Sequence, residues 1–143
     1  MDVEGFPHIT IVRNPIDRFI SCSIFLRKLY GDDIDEMLED EMYFYSMIQN
    51  YPLSQSVNWF RSQLDFISDK THIWKFENGF GDDFAKWVSH ILEMDIMIKA
   101  DVQVDKLPTN ESRKVKRSAK LIDNVRNLYR RDIETLYPEL APS

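Results

Sequence analysis

The sequence has a single cysteine, Cys22, and only three histidines. One cysteine cannot form a disulfide within the chain, and no Cys/His spacing typical of a zinc site is present, so no metal site is predicted. The lack of a disulfide framework favours a reducing compartment, and we expect a cytoplasmic location. His8, His72 and His90 stand in no catalytic or metal-binding pattern, and we interpret them as structural or surface residues.

The sequence also lacks a long hydrophobic run. No window is apolar for long enough to span a bilayer, and the first residues do not have the pattern of a secretory signal. We therefore predict no transmembrane segment. The 143 residues, 43% of them hydrophobic and 13% aromatic, suit one domain with a well-packed core rather than a disordered chain.

Basic residues are scarce in the first three quarters of the chain. Residues 1–105 contain 9 basic and 19 acidic residues (net −10), whereas residues 106–143 contain 9 basic and 5 acidic residues (net +4). The total of −6 argues against general nucleic-acid binding, although the C-terminal part is suited to an anion. The acidic run at 31–41 has no EF-hand spacing, and we interpret it as a solvated helix face rather than a cation site.

Two short segments are predicted to be β-strands. HITIV (8–12) is rich in β-branched residues, and a second strand is predicted from Thr71 to Phe76. After the first strand, Asn14 is a good helix N-cap and Pro15 a good first helical residue. Strands separated by helices predict a helix-rich α/β fold, with a small parallel sheet flanked by helices.

Four further helices are predicted from capping residues and apolar periodicity. The first of these begins at Asp32 or Asp33, after Gly31 has ended the preceding helix. The others are a helix over 54–68 capped by Ser54, a helix capped by Asp82 or Asp83, and a final helix capped by Thr109 or Asn110. The predicted buried stripe of the final helix is Val115, Ala119, Ile122, Val125, Leu128 and Tyr129.

Arg13 stands at the junction between the first strand and the first helix, eight residues before Ser21. A helix N-terminus favours negative charge, and the planar guanidinium of Arg13 suits a phosphate. Ser21, two turns into the helix, offers a hydroxyl donor. The alternative is that Arg13 pairs with a nearby carboxylate such as Asp17 and that Ser21 is simply tolerated in the helix.

The segment VRNPIDRFISCSIFL (12–26) resembles the 3′-phosphate-binding motif of sulfotransferases that use 3′-phosphoadenosine 5′-phosphosulfate (PAPS). In that family a strand ends in Arg, an Asn/Asp-Pro turn and a second Arg follow, and a Ser lies on the helix. The resemblance implies that Arg13 and Ser21 bind the 3′-phosphate of PAPS or of its product, 3′-phosphoadenosine 5′-phosphate (PAP). Arg18 matches the second Arg and is expected to have a structural or supporting role.

The resemblance extends over residues 8 to 140. PLSQSVNWF (52–60) is similar to a Pro-Gln stretch of the family, Phe76-Glu77 to its aromatic-Glu pair, and 109–140 to its C-terminal loop and helix, which end in Tyr129, Asp132 and Tyr137. The order and spacing resemble the carbohydrate and tyrosyl-protein branches. Arg113 and Lys114 are then expected to contact the nucleotide, the alternative being that RKVKR (113–117) is a solvated helix face.

The family's second phosphate site is not recognisable in the sequence. It is a strand, a Lys/Gly/Thr-containing loop and a helix that precede the Arg-Asn-Pro motif and bind the 5′-phosphosulfate, whereas MDVEGFP (1–7) has no lysine and one glycine. The resemblance therefore implies one truncated sulfotransferase-like domain over 1–143, with a partial P-loop-like fold that lacks this part. No catalytic base can be assigned, so whether the chain is an enzyme stays open.

Three hypotheses follow. In the first, the complete enzyme transfers a sulfuryl group from PAPS to a hydroxyl-bearing acceptor, with carbohydrate as one acceptor class. In the second, the chain is a non-catalytic binding or interaction module with a sulfotransferase fold. In the third, a homo-oligomer or a separate protein completes the domain, since an unpaired strand edge favours association.

Overall fold

A computed structural model describes residues 5–29, 46, 58–97 and 115–142, apart from the side chain of Arg27. The chain divides into two compact units. One comprises Met1–Arg13 and Phe66–Thr109, the other Asn14–Asp65 and Asn110–Ser143. No helix within the described residues is long and apolar enough to cross a membrane. The structure is a helix-rich α/β arrangement, whereas the P-loop-like fold and the single domain over 1–143 stay predictions.

The first unit contains the sheet. Strands β1, His8–Val12, and β2, Thr71–Lys75, run parallel, with His8 opposite Thr71 and Val12 opposite Lys75. Both predicted strands are confirmed, and the second is one residue shorter than expected. A short 3₁₀ helix, Phe76–Asn78, follows β2, and the chain turns at Gly79, whose φ of 76° is accessible to glycine at little cost.

Helix α2, Asp82–Leu92, belongs to the same unit as the sheet. The helix is confirmed, but its predicted cap is wrong, because Gly81 is the N-cap and both Asp82 and Asp83 lie in the first turn, where they complement the helix dipole. Trp74 of β2 contacts Phe84 and Trp87 of α2, with ring centroids 5.3 and 5.2 Å apart. Ala85 is buried, whereas the larger apolar residues of α2, predicted to face inward from their helical spacing, are only half-buried: Phe84, Trp87, Val88, Ile91 and Leu92.

The second unit has helices and no strand among its described residues. It contains α1, Pro15–Leu29, then α3, Ala119–Leu128, and α4, Arg130–Leu136, with 3₁₀ helices at Gln63–Phe66 and Pro138–Leu140. Its core joins α1 to α3 through apolar side chains from both helices and from the loops between them. The buried members are Ile16, Phe19, Ile20, Ile24, Phe60, Val115, Leu121, Val125 and Tyr129.

The predicted helix over 54–68 is wrong in the part that the structure describes. Residues 58–60 form a turn, and only Gln63–Phe66 is helical, as a 3₁₀ helix. The carbonyls of Asn58 and Arg61 instead accept hydrogen bonds from Arg18, at 3.2 and 2.7 Å. Since the side chain of Arg18 satisfies both backbone acceptors, they do not depend on a helical ladder for their hydrogen bonds.

The final helix also differs from its prediction. Residues 115–118 are not helical, and Ser118 is the N-cap of α3, its Oγ accepting from the backbone N–H of Leu121 at 3.2 Å. The predicted caps Thr109 and Asn110 lie outside the described residues, as do Gly31, the acidic run and the helix predicted to continue from it to Ile48, apart from Ser46, which is helical. Leu121 is fully buried although the predicted stripe omitted it, whereas Ala119 is exposed.

Asn14 caps α1 as predicted. Its Oδ1 accepts from the backbone N–H groups of Ile16 at 2.9 Å and Asp17 at 3.4 Å. We expect Asn14→Ala to lower the free energy of unfolding by about 1 kcal/mol, because two first-turn donors lose their acceptor. Asn14→Ser should retain most of the stability, and Asn127→Ala, at an exposed position inside α3, serves as control. A urea titration followed by circular dichroism measures all three, and an unchanged midpoint for Asn14→Ala would contradict the cap.

Candidate functional site

Arg13 lies directly after β1, and its guanidinium is held against an aromatic ring. Its Cζ is 4.8 Å from the ring centroid of Phe76. The parallel register explains this contact, since Val12 stands opposite Lys75 and the next residue of each strand is then Arg13 and Phe76. Phe76 is itself packed edge-on against Phe80, at 5.5 Å between centroids. A cation over a ring face is attracted by the ring quadrupole, so the contact fixes the direction of the arginine.

Ser21 lies in the second turn of α1 and is half-buried. Within the described residues its hydroxyl forms no hydrogen bond, whereas Ser23 Oγ, which is fully buried, donates to the carbonyl of Phe19 at 2.8 Å. Asp17, the carboxylate considered above as a partner of Arg13, forms its ion pair with Arg117 instead. Of the two serines, Ser21 is thus the one whose hydroxyl is suited to a ligand.

The other residues that the resemblance names are Arg18, Arg113 and Lys114. Arg18 donates to two backbone carbonyls, which agrees with the structural role expected of it. Arg113 and Lys114 lie outside the described residues. The rest of the basic run is not a solvated helix face, because residues 115–117 are not helical, Val115 is buried and Arg117 is paired with Asp17. The solvated-helix interpretation of RKVKR is therefore wrong over the residues that are described.

Tyr129, Asp132 and Tyr137 are all buried. The hydroxyl of Tyr129 donates to the carbonyl of Phe60 at 2.9 Å. The carboxylate of Asp132 accepts from Ser62 Oγ and, at 2.8 Å, from the backbone N–H of Gln63. Two of the three residues thus tie the C-terminal helices to the segment around Phe60. Sequence reasoning did not foresee Ser62 or Gln63 as partners, because about 70 residues separate them from Asp132.

A cavity of about 680 Å³ opens beside these contacts in the second unit. Three arginines, two aspartates and several neutral polar or apolar groups line it. They are Arg61, Ser62, Asp65, Asn127, Leu128, Tyr129, Arg130, Arg131 and Asp132. Arg13 and Ser21 are not among these residues, so the cavity is separate from the pair that the sequence motif indicates. Its signal in the sequence is the dipeptide RR (130–131), which lies in the basic C-terminal part of the chain.

Among the described residues, no three His, Cys, Asp or Glu side chains cluster as a metal site would require. Comparison of the chain with protein-family models, with curated proteins and with solved structures found no match.

Proposed function

We propose that the chain is a sulfotransferase-like domain that binds the 3′-phosphate of PAPS or PAP through Arg13 and Ser21. The observation that carries the proposal is the strand–turn–helix itself. β1 ends at Val12, Asn14 caps the helix that Pro15 begins, and the spacing from Arg13 to Ser21 is the one that the motif requires.

The two side chains have complementary chemistry for a terminal phosphate. Arg13 offers a planar set of N–H donors whose hydrogen bonds to phosphate are charge-assisted. Ser21 adds a neutral hydroxyl donor. The backbone N–H groups of Ile16 and Asp17 already bond to Asn14, so the phosphate is bound by side chains rather than by those two amides.

In the complete enzyme, such a site holds the donor nucleotide while an acceptor hydroxyl attacks the sulfur of the phosphosulfate. Binding at the remote 3′-phosphate orients the donor, and orientation of this kind lowers the barrier to the transfer step. Arg113 and Lys114 are further proposed contacts to the nucleotide. The acceptor class is a hydroxyl compound such as a carbohydrate.

Calorimetric titration with PAP and with 5′-AMP tests the proposal, because the two nucleotides differ only in the 3′-phosphate. We expect PAP to bind at least about tenfold more tightly, since hydrogen bonds to charged groups contribute about 1.5–3 kcal/mol each. Arg13→Ala and Ser21→Ala should weaken PAP binding and leave 5′-AMP binding unchanged. Arg13→Lys should be intermediate, because it retains the charge and loses the planar donors.

The control is Lys70→Ala, which removes one positive charge at an exposed turn of the same unit as Arg13. Equal affinity for the two nucleotides, or equal losses in Arg13→Ala and Lys70→Ala, would refute a 3′-phosphate site at Arg13.

A further inference from the structure

The cavity of the second unit brings together arginines that are distant in the sequence. Arg61 precedes the 3₁₀ helix Gln63–Phe66, whereas Arg130 and Arg131 begin α4. The volume of about 680 Å³ lies within the range of small-molecule sites, about 300–1,000 Å³. Three guanidinium groups on one cavity provide the donor geometry that phosphate and sulfate oxygens prefer.

The charges around the cavity leave an excess of positive charge. Of its two aspartates, Asp65 pairs with Arg61 at 3.2 Å. Asp132 is 1% exposed and its two oxygens accept from Ser62 and Gln63. The lining therefore carries three positive and two negative charges, in a chain whose net charge is −6.

Arg130 and Arg131 are the arginines best placed to receive a ligand. Both are exposed, and Arg131 forms no ion pair with any described residue. Arg130 donates to Asn127 Oδ1 at 3.4 Å, a long hydrogen bond that a charged acceptor would replace favourably. Asn127 also lines the cavity and would then be released as a neutral donor.

The part of the lining around Arg61 is held in place by tertiary hydrogen bonds. The backbone at Arg61 is fixed because its carbonyl accepts from Arg18 at 2.7 Å, and the backbone at Phe60 is fixed by Tyr129. A preformed cavity of this kind does not have to be ordered when a ligand enters, so less binding free energy is lost.

We propose that this cavity binds a small molecule through a phosphate or sulfate group, with Arg130 and Arg131 as its principal contacts and Arg61 as a further contact. The site is distinct from the one assigned to Arg13 and Ser21. It rests on the cavity and its arginines rather than on the proposed function.

Titration of the ¹⁵N-labelled chain with sodium phosphate and with sodium sulfate, followed by NMR, tests the site, with sodium chloride at equal ionic strength as reference. We expect saturable shifts of the amides of Asn127, Arg130 and Arg131 with both dianions. The double variant Arg130→Gln/Arg131→Gln should bind about tenfold more weakly or not at all. Sodium acetate provides a third arm, and comparable binding of acetate would overturn the preference for phosphate and sulfate.

The matched control is Lys70→Gln/Lys86→Gln, which removes the same charge from exposed positions of the first unit. An equal loss in this control, or shifts that follow ionic strength alone, would overturn the proposal. Titration with PAP distinguishes the cavity from the 3′-phosphate site of the proposed function. PAP binding that Arg130→Gln/Arg131→Gln abolishes and Arg13→Ala leaves intact would support the cavity and refute the 3′-phosphate site. The reverse, together with no saturable shifts from phosphate or sulfate, would support the 3′-phosphate site and overturn the cavity.

Discussion

Replacing Asp132 with alanine should lower the free energy of unfolding by about 3 kcal/mol and the melting temperature by roughly 10 °C. Asp132 is 1% exposed, and its carboxylate accepts from Ser62 Oγ and from the backbone N–H of Gln63. Its removal leaves two donors without their acceptor in a poorly solvated position, and a buried donor without a partner costs about 1–3 kcal/mol. A urea titration, with amide hydrogen exchange at Val125 to report on the second unit, measures the change.

Two variants make the Asp132 result specific. Asp132→Asn retains one carbonyl oxygen and the side-chain volume, so its loss should be smaller than that of the alanine variant. Asp123→Ala removes a carboxylate whose side chain is 67% exposed and which pairs with Arg126 only along one helix face, and it should cost less than about 0.5 kcal/mol. If Asp132→Ala and Asp123→Ala were equally stable, the two hydrogen bonds would not stabilise the unit.

The parts of the fold that the sequence predicted correctly depend on local chemistry. β1 follows a β-branched run, and α1 begins where an asparagine cap precedes a proline. These signals act over a few residues, so they can be recognised without knowledge of what lies nearby in space. The contact between Arg13 and Phe76 is not local in this sense, since the two residues are far apart in sequence and meet because each follows the end of one of two paired strands.

The helix predicted over 54–68 was wrong for a different reason. Apolar spacing predicted a helix across 54–68, but Arg18 and Tyr129, which are far away in sequence, bond to the carbonyls of its described part. The final helix is divided into α3 and α4 at Tyr129, although the backbone of Tyr129 keeps its helical hydrogen bonds to Val125 and Ile133. Tertiary hydrogen bonds therefore replace the helical ladder around Phe60 and do not replace it at Tyr129.

The two candidate sites differ in the same way, one depending on local sequence and the other on tertiary contacts. The pair Arg13 and Ser21 could be named from one short segment, because strand end, turn and helix are consecutive. The cavity could not, since Arg61 and Arg131 come together only after the chain has folded. Its sequence signal, two adjacent arginines, has the same appearance as any solvated pair of charges.

Replacing Phe60 with alanine should have the largest effect on stability, a loss of about 4 kcal/mol. Phe60 is 0% exposed, and its ring lies edge-on to Phe19 with 5.9 Å between centroids. Alanine would leave a cavity in the core between α1 and α3, whereas Phe60→Leu fills much of it and should cost about 1.5 kcal/mol. Urea titration with hydrogen exchange at Val125 provides the measurement. Phe66→Ala, at a position 45% exposed, should cost less than about 1 kcal/mol.

A second substitution separates the ring of Phe60 from its backbone. Tyr129→Phe removes the hydroxyl that bonds to the Phe60 carbonyl and should cost about 1 kcal/mol. Phe60→Ala retains that carbonyl, so the two losses should add in the double variant if the loop keeps its position after the ring is removed. A double variant no less stable than Phe60→Ala alone would mean that the hydrogen bond between Tyr129 and the Phe60 carbonyl is already lost in Phe60→Ala. The buried ring of Phe60 would then be what holds the cavity lining around Arg61 in place.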